Sequence, residues 1–206
     1  LGTTNVLAHE IGLAGDANTV AETALAGHAR PITLGEASGR RFLLMAGVGL
    51  DAHVVAGLDT GLKRRLGKGA YAWSFARRLI DFPFSRYRYC TPEGEGTAAS
   101  LVLANSRHYG GRQVLAPTAG LEKDGLALCT LNCDGPLSAL AAGVRVFSGA
   151  YGRREGAAAP SVDRVEIFGP EGEPVHADGD IIARLPVEVR ALPDALQLVH
   201  PLASAK

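Results

Sequence analysis

Four short stretches place polar residues where chemistry could use them. In "AGVGLDAHVV", Asp51 follows a Gly-rich turn that ends an apolar run. Gly47 and Gly49 let a ligand or a second backbone come close, and Asp51 then stands at a helix start. An ordinary N-cap suits that spacing better than a ligand contact, because a lone GxG carries little information. In "GLEKDGLAL", Glu122 and Asp124 sit in a loop ahead of a strand. Carboxylate and backbone oxygens there suit a hard cation, although Asp-Gly before a strand is more commonly a plain turn. In "VHADGDIIARLP", Asp178 and Asp180 flank Gly179. Two carboxylates so close repel, which can raise one pKa and make a usable base. The same residues form a strong hairpin signal, and a turn and a base can coexist. Finally, "LGTTN" runs Gly2, Thr3, Thr4 and Asn5 into the apolar positions Val6, Leu7, Ile11 and Leu13. Such residues cap the orphan amides of a helix start, where phosphate oxygens can also be held.

Other chemistries find less support. The six histidines (His9, His28, His53, His108, His176, His200) form no pair at metal spacing. Each reads as a packing or surface residue rather than a ligand or base. No nucleophile elbow, complete P-loop or hydrolase triad is visible. Cys129 and Cys133 are four apart without a second pair, so they and Cys90 read as reduced thiols of a cytosolic protein. With 21 basic and 21 acidic residues the charge is balanced, which argues against a general nucleic-acid binder. No run reaches the roughly 18 consecutive apolar residues of a membrane span.

The elements that must carry these residues follow from pattern and punctuation. A chain of 206 residues, 47% hydrophobic, can build one substantial core or two small ones. Helices are expected over residues 4–13 and 16–27, the second capped by Asp16. "PITLGEA" and "RRFLLMAGVG" read as two strands around "SGR". A basic-amphipathic piece from Lys63 to Arg78 interleaves Tyr71, Trp73 and Phe75 with Lys and Arg. Such a piece is either a solvated helix face or a contact for an anionic membrane. Strands then dominate: "RYRYCT", "AASLVLANS", "GLALCTLN", "VDRVEIFG", "PVHADGD", "RLPVEVRAL" and "LQLVHP", with one helix over residues 136–151. Short strands between Gly/Pro turns predict an α+β, mainly β chain: an antiparallel β-sandwich with several flanking helices.

Taken in order, the motifs resemble the diacylglycerol kinase and sphingosine kinase family of lipid kinases, especially its soluble bacterial, YegS-like members. That family runs "GTxN", "GxGxDA", a basic "K-R-lG-k-aY" stretch, "aNgryyGGg", "aP-a---DGlL" and "v-v-DGE" with "P--v-vlP" behind it. The counterparts here are "LGTTN", "AGVGLDAHVV", "KRRLGKGAY", "VLANSRHYGGRQVLAP", "EKDGLAL" and "VHADGDIIARLPVEVRALP". The resemblance implies that residues 1–30 are a helical junction behind an absent nucleotide-binding domain, whose "GGDGT" signature is not in the sequence. It likewise implies that residues 31–206 are a lipid-substrate β-sandwich similar to that of the NAD kinase superfamily.

Roles carry over by position. Thr3 and Asn5 match positions that line the ATP phosphates, and Asp51 the Asp that faces the acceptor lipid. Asp124 matches the Asp of a structural Mg²⁺ loop, with backbone oxygens of Leu121 and Leu126 as co-ligands. Asp180 falls where "DGE" has its Glu, the base that takes the lipid hydroxyl proton. Three departures stand out: Asp180 is one methylene shorter than Glu, Val6 replaces a common Asp, and "PTAGLEKDG" lacks the usual Asp after Pro117. The implied protein is an ATP- and Mg²⁺-dependent lipid kinase, cytoplasmic and peripherally bound at the membrane where its lipid substrate lies. The implied partners are that lipid and the nucleotide-binding domain, with a homodimer left open. A chain lacking that domain is expected to be nearly inactive alone. A non-catalytic lipid-binding or regulatory module, and a related kinase acting on NAD or a soluble alcohol, stay open beside it.

Overall fold

The computed structural model describes residues 5–13, 15–57 and 82–201. The chain opens with helices α1 (Val6–Glu10) and α2 (Ala17–Ala26). Asp16 caps α2 as its position requires, accepting the Thr19 N–H at 2.9 Å. Asn5 occupies the N-cap of α1, but with φ 43° and ψ 47° and no side-chain capping bond. A side-chain cap needs an extended N-cap backbone, and the left-handed conformation turns the amide away from the first-turn donors. The capping expected of Asn5 is therefore not made.

Strands β1 (His28–Ala37), β2 (Arg40–Phe42) and β3 (Met45–Gly49) lead into helix α3 (Leu50–Ala56). After residue 81 come β4 (Tyr87–Thr91), β5 (Gly94–Ala98), β6 (Ser100–Ala104), the short hairpin β7 (His108–Tyr109) and β8 (Gln113–Val114), and β9 (Leu126–Leu131). Helices α4 (Pro136–Phe147) and α5 (Ala150–Arg153) precede β10 (Ser161–Val162), β11 (Arg164–Phe168), β12 (Pro174–Ala177), β13 (Asp180–Arg184) and β14 (Val187–His200). Two six-stranded sheets result, ordered β2-β1-β14-β11-β4-β5 and β10-β9-β6-β3-β12-β13. Neighbouring strands pair antiparallel throughout, as for β1 with β14 and β3 with β6. The α+β sandwich expected from the strand pattern is the fold.

Several strands differ from their expected extents. "RRFLLMAGVG" breaks after Phe42, because the Asp178 carboxylate binds the N–H groups of Leu43, Leu44 and Met45 at 2.7, 2.9 and 3.0 Å. A carboxylate gathering three amides holds that segment out of the sheet ladder. "AASLVLANS" divides between β5 and β6 at Ala99. "RLPVEVRAL" and "LQLVHP" fuse into β14, which absorbs Pro193 and Asp194 (φ 53°) as a bulge opposite Thr33. The Thr33 N–H, freed from the ladder there, donates to the Leu121 carbonyl at 2.7 Å.

The core explains why the inner strands lack polar alternation. Along β6, Leu101 and Leu103 face the space between the sheets with Val165, Ile167, Val175 and Val189. Val102 and Ala104 face the other way, joining Leu115, Ala127, Val146 and Tyr151 under α4 and α5. A strand covered on both faces reads as a continuous apolar run, and β3 and β6 are buried at every position. Each buried Leu or Val contributes about 1.5–3 kcal/mol.

Candidate functional site

Asp51 is the centre of a part-buried polar cluster. Gly49, at φ 91°, turns β3 into α3, and a Cβ there would lie 2.6 Å from the Ala99 carbonyl oxygen. The N-cap position falls to Gly49, so the capping role favoured for Asp51 by its spacing is overturned. Asp51 sits in the first turn of α3 instead, where a negative charge suits the helix dipole. One carboxylate oxygen accepts the Tyr109 hydroxyl at 2.5 Å, and the other accepts His176 Nε2 at 2.6 Å. His176 lies on β12 directly across from Gly47 on β3. A Cβ on Gly47 would clash with that imidazole and lie 2.7 Å from the Asp51 carboxylate. The GxG of the sequence thus does two jobs: Gly47 makes room for the ion pair, and Gly49 makes the turn.

The electrostatics of the pair are decided by its partners. Burial alone would raise the Asp51 pKa, but the His176 charge and the bonds from His176 and Tyr109 outweigh it and hold the carboxyl below its usual value. Burial would lower the His176 pKa, but Asp51, and behind it Asp178, raise it. Both directions describe one state, a carboxylate against an imidazolium. The His176 side chain is 4% exposed and that of Asp51 15%. His176 Nδ1 is buried with no hydrogen-bond partner among the described residues.

Asp178 and Asp180 lie beside this cluster and do different things. Asp178 (φ 50°) and Gly179 (φ 94°) form the two-residue turn between β12 and β13, so the expected hairpin is present. Both Asp178 oxygens are taken by the amides of Leu43, Leu44 and Met45. Asp180 is exposed at the head of the edge strand β13, opposite Ala177 and one residue before Ile181, which pairs with His176. Asp51 and Asp180 are thus each tied to the β12–β13 hairpin, Asp51 by its bond to His176 and Asp180 as the first residue of β13, where strand alternation sends its side chain to the face opposite that of His176.

The remaining designated residues are more scattered. Thr3 and the stretch from Lys63 to Arg78 lie outside the described residues. Asn5 is exposed at the start of α1, whose other end is fastened firmly. There Glu10 accepts Ser106 Oγ and His108 Nδ1, both at 2.7 Å, and its side chain is 4% exposed. Asp124 is exposed in the loop before β9. The Leu121 carbonyl already accepts the Thr33 N–H, and Leu126 opens β9. One carboxylate and two carbonyls are hard oxygen donors, the kind Mg²⁺ takes beside several waters of its own. A second carboxylate stands near, since Asp163 Oδ1 is 3.3 Å from the Cβ position of Gly125. Among the described residues no three carboxylate, thiol or imidazole groups converge as a metal cluster. A separate groove of about 410 Å³, lined by Leu128, Thr130, Arg145, Tyr151 and Glu155, contains none of the designated residues.

Sequence reading missed His176 and Tyr109 as partners of Asp51. With no second histidine at metal spacing, the sequence pattern gives His176 only a packing or surface role. The usable signal is register, because a His opposite a strand Gly has a slot to fill. A second cluster also went unseen: Glu173 engages His53 Nε2 and accepts the Tyr87 hydroxyl at 3.2 Å, with Phe82 edge-on to His53.

Fold and cluster together define an antiparallel β-sandwich domain built around a buried carboxylate–imidazole pair. The family described as the YegS C-terminal NAD kinase beta sandwich-like domain matches residues 45–200, and the chain belongs to that family. It is 30% identical over 183 residues to a "Probable lipid kinase YegS-like" of Pseudomonas aeruginosa, a match covering 85% of this chain and 58% of that protein. It is 34% identical over 128 residues to a diacylglycerol kinase of Mycobacterium tuberculosis, covering 60% of this chain and 40% of that protein. The chain thus spans little more than half the length of the Pseudomonas relative. A crystal structure of a diacylglycerol kinase from Bacillus anthracis has the same fold, with TM-score 0.70 at 17% identity over 97% of this chain and 66% of that one.

Proposed function

We propose that this chain is the acceptor-side part of an ATP-dependent kinase that phosphorylates a lipid hydroxyl, diacylglycerol-like or sphingoid. The observation that carries the reading is the rigidly held Asp51–His176 pair on the β12–β13 hairpin from which Asp180 starts β13, in a chain whose relatives are named lipid kinases. An ionised, rigidly held Asp51 suits a hydrogen bond from a polar acceptor headgroup. Asp180, exposed at the head of β13, would be the base that takes the hydroxyl proton as the lipid oxygen attacks the γ-phosphorus and ADP leaves. Such transfers need little covalent help, so positioning and charge neutralisation carry most of the rate. Thr3, and Asn5 at the N-cap of α1, would contact the ATP phosphates, and the Asn5 amide is not spent on its own helix. Asp124 would hold Mg²⁺ with the carbonyls of Leu121 and Leu126. When bound, that ion neutralises charge and orders the loop ahead of β9. The nucleotide-binding domain of a longer protein supplies the rest of the ATP site, and peripheral contact with the membrane brings the lipid.

The other reading, a non-catalytic lipid-binding or regulatory module, draws on one feature. The Leu121 carbonyl is already engaged by Thr33, which weakens the metal loop. The test is transfer of labelled phosphate from ATP to a panel of lipid alcohols in mixed micelles, using the longest native protein that contains this chain. Labelled phospholipid supports the kinase. No label in any lipid, with the protein folded and ATP intact, leaves the module.

A further inference from the structure

A helix that is apolar around its whole circumference has to be covered on both sides. The sequence of α4, PLSALAAGVRVF, contains one charged residue, Arg145. Its inner face buries Ala139 and Val146. On the outer face Leu137, Leu140, Val144 and Phe147 follow the three-and-four spacing of one stripe, and they remain 84, 48, 60 and 57% exposed. They are four of the eight exposed large hydrophobic residues among those described.

The stripe leads to the candidate site. Phe147 comes within 3.9 Å of the Cβ position of Gly110, in the turn of the β7–β8 hairpin. The neighbouring residue is Tyr109, whose hydroxyl donates to Asp51. The charge left unmatched around the stripe has one sign. Arg112 in that turn, and Arg153 and Arg154 just past α4, are exposed and form no ion pair among the described residues. Arg145 is matched by Glu155, and Asp134, ahead of the helix, by Arg86.

We propose that the outer face of α4 docks on an anionic phospholipid bilayer, with Leu137, Leu140, Val144 and Phe147 entering the interface and Arg112, Arg153 and Arg154 meeting headgroup phosphates. An apolar stripe beside unmatched arginines is the pattern of an interfacial helix. A second copy of the chain seated on the same face by two-fold symmetry would bring both copies' unmatched arginines into one interface and supply no unmatched carboxylate to meet them. The docking face rests on the kinase reading, since it brings the bilayer beside the hairpin whose Tyr109 holds Asp51.

The longest native protein containing the chain is sedimented with extruded vesicles, without ATP. One set is phosphatidylcholine alone and the other phosphatidylcholine with phosphatidylglycerol. The wild type partitions onto the anionic vesicles, and added salt weakens it. Leu137→Gln with Leu140→Gln lowers the partition coefficient tenfold or more at an unchanged Tm, and Arg153→Glu with Arg154→Glu removes the preference for anionic lipid. Phosphate transfer to a short-chain acceptor dissolved as monomers stays within twofold in the Leu137/Leu140 variant. Failure of the wild type to bind either vesicle, or undiminished binding by the Leu137/Leu140 variant, overturns the proposal. So does a dimer in sedimentation velocity that this variant dissociates. Vesicle binding that the variant loses, in a protein that phosphorylates no acceptor, refutes the kinase and leaves the docking face standing.

Discussion

At the scale of single residues, the Asp51–His176 pair sets the clearest expectations. Asp51 has a lowered folded pKa, so its share of stability is present above its ordinary value of 3.8 and is lost as pH falls through the folded value. His176 has a raised folded pKa, so its share is complete below its ordinary value of 6.5 and is lost as pH rises through the folded one. The melting-temperature gap between wild type and His176→Gln should therefore be widest between pH 3.8 and 6.5 and close on both sides. Breaking a buried pair from one side costs about 3 kcal/mol. A gap independent of pH would remove the ion pair from the explanation. Gly47→Ala tests the same pair sterically, because the added methyl collides with His176 and Asp51. Overpacking of this kind costs about 1–3 kcal/mol, read as a lower denaturation midpoint with an unchanged m-value.

Asn105 and Asp178 act between elements. Asn105 is fully buried, and its Nδ2 donates to the Thr33 carbonyl at 2.7 Å and the Leu43 carbonyl at 2.8 Å. One side chain thus fastens β1 to the segment between β2 and β3. Asn105→Ala leaves two carbonyls without this donor and is expected to cost about 2 kcal/mol or more, measured by chemical denaturation. The sequence made the elements largely legible. Strand runs, the Asp16 cap and the Asp178–Gly179 hairpin are local signals, set by periodicity and turn chemistry within a few residues. The pairing of Asp51 with His176 depends on the register of β3 against β12, across 125 positions of sequence. The break after Phe42 likewise depends on a carboxylate 135 positions away. Local pattern carries no record of either, which is why His176 read as packing and "RRFLLMAGVG" as one strand.

At the scale of the whole molecule, no helix among the described residues is long and apolar enough to cross a membrane. The sandwich supplies a rigid frame for the candidate site. Its central strands are buried on both faces, while the Asp51 cluster and Asp180 sit toward the β12–β13 edge. Asp180→Glu, which restores the carboxylate length usual at the position matched by resemblance, should keep transfer within tenfold of wild type or raise it. The most direct measurement is the rate of labelled phosphate transfer to lipid by the longest native protein carrying Asp180→Ala. It is compared with wild type in the same micelles at matched melting temperature. A loss of about a hundredfold or more is the result a general base at Asp180 requires. An unchanged rate in the folded variant would contradict it.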